Sequence, residues 1–182
     1  SCMTSDGNFG AVACVEGILN PIDLAQVVLL HSPHILLVGE GAKDFAEKKN
    51  VKMIPLNDFD DREQKKESKS RNSCDTVGAV AFDGSTFAAA LSSGGVGNAA
   101  IGRVGDVPLP GCGLFCGALG AVACTGDGEF IALKILAREV YSMLERNINP
   151  KEAVNKAMTL LEDSVDVGLI ILTRNGFASN AR

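Results

Sequence analysis

Asp75-Thr76-Val77-Gly78-Ala79-Val80 is where this chain changes character. After Phe59, residues 58–75 carry no large apolar side chain and are dense in Asp, Glu, Lys, Arg and Ser. Such a stretch cannot bury enough surface to offset its chain entropy, which predicts an exposed, mobile linker. Beyond it, residues 77–82 and 86–91 read as two strands joined by Asp83-Gly84-Ser85, a hairpin signal. Thr76 stands at the junction. Read blandly, it is a Thr opening a strand. Its other reading is a nucleophile, useful only if the chain is cut before it. The freed α-amine would then act as base for its own hydroxyl.

On the N-terminal side, Asn20 and Pro21 suit the cap and first position of a helix. Leu24, Val27 and Val28 supply its apolar face, and Ser32-Pro33 ends it. Residues 34–38 predict a short buried strand, and residues 39–50 a second helix with Ala42, Phe45 and Ala46 on one face. On the C-terminal side come a Gly-rich loop, residues 92–105, and an apolar run, residues 118–124. Residues 127–146 read as one long helix, with Ile131, Ile135, Leu136, Val140 and Leu144 spaced for one face. Asn149-Pro150 starts another helix, running to about Asp163, and residues 167–173 read as the last strand. The pattern predicts an α+β fold with helices packed on an antiparallel sheet.

Composition narrows the function classes. The chain has 182 residues, 46% hydrophobic, with 20 Gly and no Trp, which suits one domain rich in strand–turn junctions. A net charge of −5 speaks against nucleic acid as the main partner, because phosphate neutralisation needs a basic face. No apolar run reaches the roughly 20 residues of a membrane span, and the start shows no signal-peptide pattern. Of six Cys, four (Cys14, Cys112, Cys116, Cys124) lie among small apolar residues. They read as buried reduced thiols, hence an intracellular, cytoplasmic protein.

The remaining motifs each have a plain and a chemical reading. Ser92-Ser93-Gly94-Gly95 is a turn, or else it brings a hydroxyl to the end of the strand paired with Thr76. Gly102-Arg103-Val104-Gly105-Asp106 is a local ion pair, or else a receptor for a zwitterion. In the second case Arg103 would fork a carboxylate and Asp106 would pair an ammonium. Thr125-Gly126-Asp127-Gly128-Glu129 joins strand to helix, either as a cap or as backbone N–H groups suited to an oxyanion. Gly95-Val96-Gly97-Asn98-Ala99-Ala100 matches a dinucleotide fingerprint only loosely and lacks its βαβ context. Cys112 and Cys116 have no second pair to make a zinc site. With only His31 and His34, neither a Ser-His-Asp triad nor a His-rich metal site is expected, and no metal or cofactor is assigned.

In this order and spacing, over most of the chain, these motifs resemble the plant-type asparaginase family of N-terminal nucleophile hydrolases. That family includes isoaspartyl peptidases, glycosylasparaginase and taspase. Asn8-Phe9-Gly10-Ala11-Val12, Asn20-Pro21-Ile22 and Leu37-Val38-Gly39-Glu40-Gly41-Ala42 look like its α-subunit, here residues 1–57. The Thr76, Ser93, Arg103 and Thr125 motifs look like its β-subunit, residues 76–182, with 58–75 as the linker between. The resemblance implies an αββα sandwich, commonly a dimer of αβ units. It also implies autocleavage between Asp75 and Thr76, with Thr76 as nucleophile and Ser93 as the second active-site hydroxyl. Arg103 and Asp106 would hold the substrate's α-carboxylate and α-amine, and Thr125 and Gly126 would position the amide and its oxyanion. Against the family pattern, the opening strand ahead of Ser1 and the last strands after Arg182 are missing. The expectation is therefore a sandwich truncated at both ends.

Three functions stay open on this reading. One is an amidohydrolase acting on asparagine or β-aspartyl dipeptides. Another is a taspase-like endopeptidase cutting proteins after Asp, favoured by Asp75, Ser92-Ser93, Gly111-Cys112-Gly113 and Leu136-Ala137-Arg138-Glu139. That branch uses a basic linker for nuclear import. The third is an unprocessed, catalytically silent binding partner.

Overall fold

The computed structural model describes residues 1–55 and 76–182. The chain opens with an antiparallel pair, β1 (Cys2–Thr4) and β2 (Phe9–Ala13), and continues through α1 (Pro21–His31), β3 (Leu36–Val38) and α2 (Gly39–Lys48). After the undescribed stretch come β4 (Thr76–Phe82), β5 (Phe87–Ser93), β6 (Leu114–Gly117) and β7 (Gly120–Gly126). Three helices follow, α3 (Gly128–Lys134), α4 (Leu136–Glu145) and α5 (Pro150–Met158), and the hairpin β8 (Val167–Thr173)–β9 (Gly176–Ala181) ends the chain. The linker expected over 58–75, with Asp75, lies outside the described residues.

The strands form two sheets, ordered β3-β2-β1-β5-β4 and β6-β7-β8-β9. Side-chain alternation shows how they stack. Ala121 and Ala123 of β7 join Phe87, Ala89 and Leu91 of β5 in one buried cluster between the sheets. Val122 and Cys124, the intervening residues of β7, join Leu136, Val140 and Val154 in a second cluster under α4 and α5. On the far side, Val12 of β2 packs with Leu24, Val28, Ala42 and Ala46 of α1 and α2. The layers therefore run helix, sheet, sheet, helix, the expected αββα order. Each fully buried Leu or Val adds about 1.5–3 kcal/mol of transfer free energy. Gly10 brings the first two layers together: a Cβ there would lie 2.2 Å from the Ala25 carbonyl oxygen of α1.

The β4–β5 hairpin is registered from Thr76↔Ser93 to Phe82↔Phe87. Its turn is held by Asp83, whose Oδ1 accepts the N–H of Ser85 and of Thr86, each at 2.8 Å. Phe82 and Phe87 stack 4.2 Å apart, and the Arg174 guanidinium from the β8–β9 turn lies 4.9 Å over Phe82. This tethers the two sheets at the end away from Thr76.

Several expectations need correction. The long helix over 127–146 is two helices, because Ile135 adopts φ +49°. The first amides of α4 turn to another loop instead of to α3. Ala137 N–H donates to Cys112 O (3.1 Å) and Arg138 N–H to Gly111 O (2.8 Å). Ile135 is accordingly 52% exposed and not on the apolar face. The helix expected to reach Asp163 ends at Met158. The strand at 34–38 is not buried: it is an edge strand, with Val38 53% exposed. Residues 167–173 are not the last strand, since Asn175-Gly176 turns the chain into β9. Cys112, Cys116 and Cys124 are buried thiols, but Cys14 is exposed, on a backbone at φ +52°.

Candidate active site

Strand parity places three hydroxyls together. Val80 and Phe82 of β4 pack between the sheets, so Gly78 and Thr76 share that face. The same alternation puts Ser93 of β5 in line with Leu91 and Ala89, and Thr125 of β7 in line with Ala123 and Ala121. A Cβ at Gly78 would lie 3.6 Å from the Ala123 Cβ, so β4 lies over β7 two residues from both Thr76 and Thr125. Thr76 Oγ1 donates to Ser93 Oγ at 3.0 Å, and Ser93 Oγ also accepts the Gly95 N–H at 3.0 Å. Ser93 is thus anchored by its own turn and holds the Thr76 hydroxyl in one direction.

Thr125 and Gly126 end β7, paired with Gly168 and Val167. Gly126 sits at φ +133°, and a Cβ there would lie 2.1 Å from the Asp166 carbonyl oxygen. Asp127 occupies the cap position of α3 without capping it; its Oδ2 accepts the Asp166 N–H at 3.0 Å. This ties the β7–α3 turn to the start of β8.

Asp106 is 5% exposed, and its Oδ2 has no hydrogen-bond partner among the described residues. Its carboxyl lies between two glycines: a Cβ at Gly113 would come within 2.8 Å of Oδ2, and one at Gly128 within 2.7 Å of Oδ1. Burial pushes Asp106 up to about 6, against the lowering pull of its own backbone amide and of Arg103, with Glu129 adding to the rise. A buried carboxylate with an open oxygen is costly until a donor reaches it.

Arg103 does not form the local ion pair its spacing suggests. Its Nε meets Glu129 Oε1 at 2.7 Å and its Nη2 meets Oε2 at 2.8 Å, a two-point fork. Glu129 was missed as a site residue, although it closes the Thr125–Glu129 motif. Nothing short of the fold signals that the β7–α3 turn meets the Arg103 loop.

A cleft of ≈ 810 Å³ opens at this end of the sandwich. It is lined from both sides of the linker, by Ser1, residues 12–19, Pro21 and Ile22 before it and by residues 91–95 and 103–108 after it. Ser93, Arg103 and Asp106 line it; Thr76, Thr125 and Gly126 do not, and Thr76 reaches it through the Ser93 hydroxyl. Cys14, read from the sequence only as a buried thiol, and Glu16, not singled out there, also line it. Among the described residues, no group of three or more His, Cys, Asp or Glu is placed to hold a metal ion.

Comparison with known proteins gives the family. The profile of the family described as Asparaginase matches residues 3–73 and 56–181. The chain is 36% identical to the isoaspartyl peptidase/L-asparaginase of Danio rerio, over 92% of this chain and 59% of that protein. It is 38% identical to the plant-type L-asparaginase of Pyrobaculum calidifontis, over 84% of this chain and 56% of that protein. With the N(4)-(beta-N-acetylglucosaminyl)-L-asparaginase of Elizabethkingia miricola it shares 31% identity, over 96% of this chain and 57% of that one. The chain therefore spans somewhat more than half the length of these relatives.

Proposed function

The chain belongs to the asparaginase family, and on that premise we propose that it is a self-processing hydrolase of L-asparagine or β-aspartyl peptide bonds. Scission between Asp75 and Thr76 frees the Thr76 α-amine. That amine takes the proton from Oγ1 as the oxygen attacks the side-chain carbonyl carbon. Thr125 and the Gly126 region face the developing oxyanion. The tetrahedral species collapses to an acyl ester on Thr76, and the amine proton leaves with ammonia or with the amino group of the departing residue. Water, activated by the same amine, then releases aspartate. Ser93 keeps the Thr76 oxygen directed throughout. Arg103 and Asp106 hold the α-carboxylate and α-ammonium, which fixes the amide relative to Oγ1.

The observation that carries this reading is the Thr76–Ser93 hydroxyl pair at the head of the hairpin, 3.0 Å apart. The open Oδ2 of Asp106 supports a substrate with a free ammonium over an endopeptidase substrate, which has none there. Intact-mass measurement after incubation at neutral pH is the test. Two fragments dividing before Thr76, with turnover of asparagine or β-aspartyl dipeptides, are expected. A single unchanged mass would leave the silent binding partner as the better reading. Fragments that cut Asp-containing proteins but not asparagine would favour the endopeptidase.

A further inference from the structure

Arg103 has two hydrogen-bonding edges, and among the described residues only one is occupied. Glu129 takes the Nε/Nη2 edge at 2.7 and 2.8 Å, while Nη1 has no hydrogen-bond partner among the described residues. Arg103 lines the cleft and Glu129 does not. The guanidinium fits here because two nearby residues are glycines. A Cβ at Gly105 would lie 2.8 Å from Nη1, and one at Gly128 would lie 3.0 Å from Nη2. The Arg103 side chain is 18% exposed and that of Glu129 is 61% exposed. An ion pair so open to water on its acidic side adds little to stability. What it does supply is direction. Glu129 is the second residue of α3, so a helix sets the orientation of a planar group on a residue that lines the cleft.

We infer that Glu129 is the positioning residue for Arg103: it holds one guanidinium edge so that the Nη1 side receives the substrate's α-carboxylate. This rests on the amidohydrolase reading above. It differs from the alternative in which the Glu129 carboxylate stands in for the substrate's and must be displaced. Under positioning, removing the charge of Glu129 weakens substrate binding. Under displacement, it strengthens it.

The test is Glu129→Gln in the full chain, assayed with two amides. L-Asparagine carries the α-carboxylate; 3-aminopropanamide is the same molecule without it. Expected for the variant is a KM for L-asparagine raised about 5- to 30-fold with kcat within about twofold, because the lost interaction is made equally in ground and transition states. L-Aspartate binding by calorimetry weakens by the same factor, kcat/KM for 3-aminopropanamide is unchanged, and Glu129→Asp recovers part of the loss. A lowered KM for L-asparagine, or equal losses on both amides, overturns the positioning role. So does a variant indistinguishable from an active parent. A parent protein that neither hydrolyses L-asparagine nor binds L-aspartate overturns the amidohydrolase reading and this inference together. Glu129→Asp serves for the comparison if Glu129→Gln does not fold.

Discussion

Thr76 and Ser93 face each other as the first and last residues of one β-hairpin, with their hydroxyl oxygens 3.0 Å apart. The register that makes them partners is set far from them, at the Asp83–Thr86 turn, and is pinned by the Phe82–Phe87 stack. The two substitutions should therefore separate. On the proposed mechanism, Thr76→Ala should abolish both scission and turnover, while Thr76→Ser should keep the first and slow the second. Ser93→Ala should leave the proposed nucleophile present but unaimed, lowering kcat by about 10- to 100-fold with little change in KM. Steady-state kinetics on the purified fragments decides. A Ser93→Ala enzyme with normal kcat would remove Ser93 from the site.

The proposed role of Asp106 ties activity to pH. In that role it pairs the substrate ammonium as the ionised carboxylate, and burial pushes Asp106 up to about 6. In consequence, kcat/KM for L-asparagine should fall as pH drops below about 6, by up to tenfold per unit.

The same shift acts on stability with the opposite sign. The folded pKa is raised above the unfolded value, so the native state holds more protons between about 4 and 6 and loses stability as pH rises through that window. The loss, on the order of 2–3 kcal/mol, persists above pH 6. Asp106→Asn removes the titration. The midpoint of its thermal unfolding, relative to the parent, should be more favourable at pH 7.5 than at pH 4.5, while ammonium-bearing substrates are no longer bound. An equal difference at both pH values would mean that Asp106 is not a strained carboxylate.

Gly126 leaves no room for a side chain beside the Asp166 carbonyl oxygen, and its φ of +133° is closed to other residues. Gly126→Ala is expected to cost more than about 2 kcal/mol of stability, through both clash and backbone strain. Denaturant unfolding is the check, and a variant of unchanged midpoint would show that the β7–α3 turn relaxes freely.

Ile135 adopts a left-handed backbone that a β-branched residue accommodates poorly. Half exposed, it gives up little by substitution. Ile135→Asn should raise stability by up to about 1 kcal/mol, read as a shift of a few degrees in Tm. A lower Tm would show that the packing of the Ile135 side chain, whose Cγ2 would lie 3.1 Å from a Cβ at Gly111, outweighs the strain.

What the sequence disclosed depended on how local each signal was. The Asp83-Gly84-Ser85 turn and the flanking alternation were enough to place β4 and β5 and to make Thr76 and Ser93 neighbours. Pro21 and Pro150 marked two helix starts for backbone reasons. The break at Ile135 left no such trace. The apolar spacing runs through it unbroken, and its cause is a tertiary pair of hydrogen bonds to Gly111 and Cys112. Asn175-Gly176 was a legible hairpin signal that went unread. Glu129 lay inside a noted motif, but its role depends on Arg103, 26 residues earlier. Cys14 looked buried because its neighbours are apolar, whereas it leaves the end of β2 toward solvent.

Thr76 stands at the very start of β4, which decides what the proposed scission would divide. Scission before Thr76 removes no rung of the ladder, because Thr76 itself is the first registered residue. It does divide ownership of the five-stranded sheet: β1, β2 and β3 would belong to one polypeptide, β4 and β5 to another. The seam between them is the β1–β5 contact, Cys2↔Ala90, Met3↔Ala89 and Thr4↔Ala88, flanked by the bonds from Leu91 N–H to Ser1 O and from Ser5 N–H to Phe87 O. The cleft is lined from both sides of that seam. The mature enzyme would thus be a bimolecular complex whose integrity follows mass action, with its substrate site intact only while the two pieces stay docked.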